Sequence, residues 1–500
     1  MTPSLESQDN ARAAVLLERV EKTPVGRPQR RIATQTGLGY TYEGLDAATV
    51  SIILPAATAV FGLTGAETGL LGSSVLIGFM VGSLIGGGLS DSYGRRAVLM
   101  LALAVFAFGS LLGAVAPTWE FLFVARVITG VGCGAEVVVA AVYVSEMIAT
   151  RNRETYVSAV VVFVSAGWCI AALLGVIFGE VDGGFRYIQF AGALPVFALL
   201  IWRRVLPESP RWLLAKGRID EAENVVDYLE GTARSFKRLP RDQRVRTGAS
   251  GAVFANALRS YADAFGRTLI RHTLLGAFTW FIIFFCFYGF FTWIPSLLIK
   301  EGYAVAASFM FTLLINLAQI PGYASASFLL RRFEPKRLLA AYFVLGAMSA
   351  AGMAYAVNAA MILVFGCLMA FFMSGLTGAN YAYTPQFFRT RSRNSGAAAA
   401  SALGRSGSIL APIIIGVFFD NIGFAGVFFM LMAVMLLGAV GLGLFGPRVK
   451  NKSHELLEAE RTGTVDALGG AAVDPAAPAV LDRAVAPTAE PKSPSPVEQP

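Results

Sequence analysis

Twelve long runs of apolar residues, broken by short polar segments, divide the chain. They lie near residues 36–61, 68–89, 97–116, 119–147, 155–179, 186–206, 271–299, 304–330, 337–357, 360–384, 395–419 and 423–446. An α-helix needs about 17 to 25 residues to cross a bilayer, and somewhat more where it tilts. The pattern therefore predicts an all-α integral membrane protein with twelve transmembrane helices. Six precede the polar stretch 207–270 and six follow it, so one bundle is expected over 36–206 and a second over 271–446. Inside that stretch, "AKGRIDEAENVVDYLEG" spaces Ile219, Ala222, Val225, Val226 and Leu229 at helical intervals, which predicts a short amphipathic helix over the bundle end. Residues 1–35 read as a polar N-terminal segment. Residues 447–500, rich in Ala, Pro and Glu and poor in aromatics, read as a disordered tail.

Composition strengthens the membrane assignment. Of the 500 residues, 55% are apolar and 15% charged, where a soluble domain carries about 25% charged residues. The first 35 residues lack the apolar core and cleavage site of a secretory signal, so the first helix is expected to remain in the mature protein. Lys and Arg fall almost wholly on one side: Arg30, Arg31, Arg95, Arg96, Arg151, Arg153, the 207–270 stretch, Arg331, Arg332, Lys336, Arg337, Arg389, Arg391, Arg393 and the tail after Arg448. The opposite loops offer little beyond Arg186 and Lys300. By the positive-inside rule, both termini and the central loop are expected in the cytoplasm. This placement accounts for the net charge of +8, so no nucleic-acid partner is expected. The four cysteines, Cys133, Cys169, Cys286 and Cys367, lie inside apolar runs without a C-x-x-C pair, which supports neither a disulfide framework nor a metal site. With only His272 and His454 in the chain there is no Ser/His/Asp pattern, and neither an enzymatic activity nor a cofactor is expected.

An internal repeat relates the halves. "YVSEMIATRNR" from Tyr143 and "YTPQFFRTRSR" from Tyr383 match at Tyr143/Tyr383, Thr150/Thr390, Arg151/Arg391 and Arg153/Arg393, all at an offset of 240. Both copies close the fourth helix of their half. Repeated six-helix halves suggest a transporter with its site between them, near the membrane midplane.

Charged residues inside the apolar runs are the candidate chemistry, because a charge at the bilayer centre costs about 2.5 to 3.5 kcal/mol on insertion scales. In "YTYEGLDAATV", from Tyr40, Glu43 and Asp46 share one helical face roughly 8 to 12 Å inside the cytoplasmic surface. In "RVITGVGCGAEVVVAAVYVSE", Arg126, Thr129, Cys133, Glu136, Ala140 and Tyr143 share a face that should line a cavity, while Gly130 and Gly134 permit close helix contact. Arg126 and Glu136 stand about three turns apart, too far for a bond within the helix. Arg405 lies roughly 15 Å past the entry at Ser395, close to the midplane, with Ser401, Ser408 and Pro412 on its face. Such an Arg grips a carboxylate bidentately, whether from a substrate or from a permanent acidic partner in the protein.

The loop after the second helix, "GGGLSDSYGRRAVL", resembles the G-x-L-x-D-x-x-G-R-R motif of the major facilitator superfamily in Gly88, Asp91, Gly94, Arg95 and Arg96. Helix count and loop position extend the resemblance over nearly the whole chain. It implies two rocking six-helix bundles and makes this loop a cytoplasmic gate latch, with Glu146 and Arg151 as further gate residues. The second-half loop, "LLRRFEPKRLL", puts Arg332 where Asp91 would fall, so the latch looks degenerate there. "PESPRWLLAKGR", from Pro207, resembles a loop shared by sugar porters and by organic-ion and metabolite porters. The seventh helix, "WFIIFFCFYGFFTWIPSLL", lacks the paired glutamines expected of sugar porters. It resembles the aromatic acid:proton symporters and niacin-type porters at Trp280, Tyr288, Gly289, Trp293, Pro295 and Leu298. "EGLD" matches their D-G-x-D, with Glu43 in place of the first Asp.

The resemblance implies a proton-coupled symporter, working as a monomer, that takes up a small organic metabolite across the cytoplasmic membrane. An aromatic or other monocarboxylic acid is the expected substrate, with protons and the lipid bilayer as the other partners. Asp46 and then Glu43 would carry the proton. Arg126, Glu136 and Arg405 would meet the substrate's charged group, Tyr288, Trp293 and Tyr383 would stack on its ring, and Asn316, Gln319 and Asn380 would orient polar groups. A sugar or polyol porter and a drug:proton antiporter of the same fold are the alternatives.

Overall fold

The computed structural model describes residues 5–194, 196–233, 236, 270–388 and 393–447, and every regular element among them is helical. Lipid offers backbone groups no partner, and a helix satisfies them within itself. Ahead of the first crossing lies α1, Leu5–Lys22. The first half comprises α2 Arg27–Phe61, α3 Gly65–Tyr93, α4 Arg95–Ala114, α5 Trp119–Met147, α6 Thr150–Phe178, α7 Gly184–Ala193 and α8 Val196–Val205. Two short helices follow, α9 Pro210–Ala215 and α10 Ile219–Glu230. The second half comprises α11 Ile270–Lys300, α12 Val305–Leu317, α13 Gln319–Leu329, α14 Pro335–Ala354, α15 Ala359–Tyr383, a 3-10 turn Thr384–Phe387, α16 Arg393–Gly404 and α17 Ser406–Phe445.

Among the described residues, nine helical stretches are long and apolar enough to cross a bilayer. The remaining passages follow from local breaks. The stretch Gly396–Phe445 runs for 50 residues and turns at Gly423, whose φ of 64° is left-handed and suits glycine, so it supplies two passages. The apolar part of α6 is confined to Val162–Phe178, and α7 with α8 fills the sixth place as two short helices. Leu101, Phe108, Val124, Ile177 and Leu437 are among the large apolar side chains exposed along these helices, as a lipid-facing surface requires.

Within the first half, α3 and α4 pack on α5, and α2 packs on α6; within the second, α11 and α14 pack on α17, and α13 on α15. The halves meet through α3 on α17, α6 on α12 and α2 on α11. At the far end, opposite the basic loops, this contact is backbone to backbone. A Cβ added at Gly65 would come within 2.3 Å of the Gly416 carbonyl oxygen, and one at Gly69 within 2.5 Å of that of Pro412. The Ser73 hydroxyl donates to the Ile409 carbonyl at 2.7 Å, and Phe309 fills a notch at Gly175 and Gly179. At the basic end no hydrogen bond or ion pair joins the halves among the described residues. Overpacking a tight contact costs about 1 to 3 kcal/mol, so Gly416→Val is expected to slow cross-linking between cysteines placed at 73 and 409 by about tenfold. Unchanged cross-linking would mean that this glycine contact does not hold the far end shut.

The repeat reappears in bonds. The Tyr143 hydroxyl donates to the Pro207 carbonyl at 2.7 Å and that of Tyr383 to the Pro447 carbonyl at 2.8 Å, two pairs related by the same offset. Thr390 and Arg391 of the second copy lie outside the described residues, as do Arg389 and the tail from 448.

At the basic end, α10 buries Ile219, Ala222, Val225, Val226 and Leu229. The N-terminal segment is more ordered than its polarity suggests. In α1, Leu16 and Val20 are buried, Arg12 pairs with Asp220 and Glu223, and Arg19 pairs with Asp227 and Glu230, all on α10. Glu21 accepts the Thr150 N–H at 2.7 Å and its hydroxyl at 3.0 Å at the start of α6, beside Arg211 and Arg153. Burial alone would raise the Glu21 carboxyl; the Thr150 donors and the two guanidinium groups hold it below its ordinary value. Glu208 accepts the Arg96 N–H at 3.1 Å and closes the N-terminus of α4 at Gly94, whose φ of 104° needs glycine. Burial pushes Glu208 upward, against the pull of the Ser209, Arg96 and Arg95 backbone N–H groups.

Candidate functional site

The face of α5 formed by Arg126, Thr129, Cys133, Glu136, Ala140 and Tyr143 is buried along its whole length. Arg126 Nη1 donates to Asp46 Oδ1 at 2.6 Å and to Gln189 Oε1 of α7 at 3.1 Å, while Nη2 donates to the main-chain carbonyl of Asp46 at 2.9 Å. Cys133 Sγ reaches Asp46 Oδ2 at 3.7 Å. Arg126 and Asp46 are both 0% exposed, so neither charge is shared with solvent. Arg126 is therefore occupied by an internal carboxylate and an amide, which is a different arrangement from the substrate contact expected for it.

Glu43, one turn earlier on α2, has other neighbours: the charged groups that act on it are Arg405 and then Asp46. Arg405 stands at the break between α16 and α17, where Gly404 lets the chain pass so close to Trp280 that an added Cβ would lie 2.2 Å from the Trp280 Cβ. The Arg405 guanidinium lies 4.4 Å from the ring centroid of Phe79, in the first half, and 5.3 Å from that of Phe284, in the second. It forms no ion pair among the described residues. Tyr288 and Tyr381 are within its electrostatic reach. Tyr381 is 53% exposed although it sits beside the buried Asn380, and its ring meets Trp280 edge-on at 4.7 Å. A free guanidinium flanked by aromatic rings can take a carboxylate on its edge while the rings receive an aromatic body.

Glu136 is buried, and neither of its carboxyl oxygens has a hydrogen-bond donor among the described residues. It packs against α2 at Gly39, where an added Cβ would come within 2.2 Å of Glu136 Oε1. Asn316 Nδ2 donates to the Trp168 carbonyl across the halves at 3.2 Å, and Gln319 donates to Asn316 at 3.0 Å, so this pair ties α12 and α13 to α6. Asn380 is buried with both amide atoms unpartnered among the described residues.

Trp293 and Tyr383 lie elsewhere. Trp293 Nε1 donates to the Pro412 carbonyl at 3.2 Å with its ring stacked on Phe419, and the Tyr383 ring packs on Phe387 with its hydroxyl on Pro447. Both are buried packing residues, and the rings near Arg405 are instead Phe79, Phe284, Tyr288 and Tyr381. Of these, sequence reasoning singled out only Tyr288. Phe79 and Phe284 sit in apolar runs where nothing distinguishes them from core, while Tyr381 and Gln189 were polar positions in such runs and could have been flagged.

The gate residues form a cluster inside the first half. Arg95 pairs with Asp91 at 2.9 Å and with Glu146 through bonds of 3.0 and 3.1 Å. The Arg96 main chain is held by Glu208, Gly94 caps the end of α3 with Gly88 inside its last turns, and Arg151 is exposed. These bonds fasten the ends of α3, α4 and α5 to one another. Among the described residues no group of three or more His, Cys, Asp and Glu side chains is placed to hold a metal ion.

The sugar (and other) transporter family matches residues 32–460 of this chain. The chain is 34% identical over 441 residues to the niacin transporter NiaP of Acinetobacter baylyi, covering 88% of this chain and 99% of that protein. It is 26% identical over 397 residues to the 4-hydroxybenzoate transporter PcaK of Pseudomonas aeruginosa, covering 78% of this chain and 86% of that protein. The inward-open xylose transporter XylE from E. coli shares the fold, with a TM-score of 0.69 at 19% identity over 86% of this chain and 99% of that one.

Proposed function

The chain belongs to the sugar (and other) transporter family of the major facilitator superfamily, and from that premise we propose that it is a proton-coupled symporter for a small aromatic monocarboxylate. The observation that carries the reading is Arg405: a guanidinium between the halves, without an ion-pair partner among the described residues and flanked by Phe79 and Phe284. The names of two relatives, transporters of niacin and of 4-hydroxybenzoate, support the same substrate class. The basic end faces the cytoplasm of the cell membrane, consistent with the one-sided Lys and Arg, and the protein works as a monomer.

In this mechanism the acid places its carboxylate on Arg405 and its ring among Tyr288, Tyr381 and the two phenylalanines, with Asn380 available to its polar substituents. Asp46 takes up the proton. As a carboxylate it is bound by Arg126; as a neutral acid it loses most of that attraction, while Gln189 and the Asp46 carbonyl still hold Arg126 in place. Proton and substrate thereby bias one equilibrium between opening at the far end and opening at the basic end. Saturable uptake of labelled nicotinate, benzoate or 4-hydroxybenzoate that rises as the external pH falls is expected in cells expressing the protein. Saturable hexose uptake with no acid uptake would replace this reading with that of a sugar porter.

A further inference from the structure

With the proton on Asp46 and the substrate carboxylate on Arg405, two further buried acids remain, Glu43 and Glu136. Glu136 is 2% exposed, and a carboxyl retained for structure normally anchors hydrogen bonds, yet both of its oxygens lack a donor among the described residues. Its surroundings are specific. On α2, Glu43 is the charged group that acts on it, and Tyr40 and Tyr42 feel its charge in turn. On α5 itself, Cys133 lies one turn away, nearer the far end, and reaches Asp46, with Arg126 beyond. From α8, the Trp202 ring enters the same niche: a Cβ added at Gly39 would lie 2.2 Å from Glu136 Oε1 and 2.9 Å from Trp202. Trp202 Nε1 is a buried donor that also lacks an acceptor among the described residues. The order along the helices is therefore Asp46, then Glu43 with Glu136, then the basic end.

We propose that Glu136 is the exit carboxyl of a proton relay that begins at Asp46 and passes through Glu43. Resting on the symport reading, it adds the route by which the proton leaves. In each transfer, from Asp46 to Glu43 and then from Glu43 to Glu136, the O–H bond of the donor carboxyl breaks and one forms at a carboxylate oxygen of the acceptor, so the negative charge moves from Glu136 by way of Glu43 to Asp46. No other bond changes. Release toward the basic end returns Glu136 to the carboxylate. Glu136 lies buried against α2 at Gly39 and does not touch substrate in this scheme, in place of the substrate contact expected for it from the sequence.

The test uses the purified full chain in proteoliposomes with nicotinate as probe and compares two assays. Accumulation under an inward proton gradient requires the relay, whereas counterflow at equal pH on both sides requires only binding and rocking. Glu136→Gln is expected to lower accumulation by about tenfold or more while counterflow stays within about twofold of native. Glu136→Asp, which keeps a carboxyl, is expected to recover at least about a third of native accumulation, with a displaced pH profile. The relay is overturned if Glu136→Gln accumulates like the native protein, if both assays fall in the same proportion, or if Asp does no better than Gln. Should the Gln variant fail to fold, the Asp variant decides: a displaced pH profile supports the relay, and one superimposed on the native profile overturns it. A native protein that shows counterflow but no gradient-driven accumulation refutes symport itself, and the relay with it.

Discussion

Asp46→Asn is expected to abolish accumulation of the aromatic acid against its gradient while leaving counterflow measurable. Asparagine keeps the shape of the side chain but cannot bind and release a proton at neutral pH. The substitution also removes one partner of a 2.6 Å ion pair in which both members are fully buried. Breaking such a pair costs about 3 to 5 kcal/mol, because the remaining charge is left uncompensated. The single variant should therefore unfold at a lower temperature as well as lose coupling. Stability and coupling separate in the double variant Asp46→Asn with Arg126→Gln. Removing both charges is often close to neutral for stability, so this variant should regain much of the lost unfolding temperature and still fail to accumulate substrate. Thermal unfolding in detergent, measured beside transport, checks both statements. A double variant that stays as unstable as the single one would mean that the pair is not what Asp46 contributes to the fold.

Arg405 carries the second large effect. Truncating one partner of a buried charged contact costs about 2 to 5 kcal/mol, so Arg405→Gln should raise KM for the acid by about 30-fold to a few thousand-fold. Arg405→Lys keeps the charge but loses the planar fork and its stacking between Phe79 and Phe284, and should raise KM by about tenfold. Initial uptake rates over a range of acid concentrations give both values. If Arg405→Gln left KM unchanged, the carboxylate would have to be bound elsewhere, and Arg405 would be a structural cation held by its two rings and Glu43.

Much of the fold was legible because lipid imposes long apolar runs and the repeat fixed two halves; the bonds Tyr143 to Pro207 and Tyr383 to Pro447 show that symmetry in atoms. The helix α1 was not legible, because a few apolar residues such as Leu16 and Val20 gain their meaning only when Arg12 and Arg19 meet acids on α10 about 200 residues away. At the site, periodicity located Asp46, Glu43, Arg126, Glu136 and Arg405 and put the acids and Arg126 on inward faces. It could not say who pairs with whom. Asp46 and Arg126 lie on different helices, and their contact, with Gln189 as third member, arises only when α2, α5 and α7 pack. Trp293 and Tyr383 looked available for a ring because nothing local revealed their carbonyl partners on α17 and at Pro447.

The central claim is that substrate and proton move together through Asp46. Its most direct test is external pH recorded from lightly buffered proteoliposomes holding the purified full chain, when nicotinate is added outside at equal starting pH. The account predicts alkalinisation of the outer medium in proportion to nicotinate entry for the native protein, and no pH change for Asp46→Asn, which still exchanges nicotinate when the vesicles are preloaded with it. Nicotinate entry by the native protein with no accompanying pH change, or an undiminished pH change with Asp46→Asn, would contradict it.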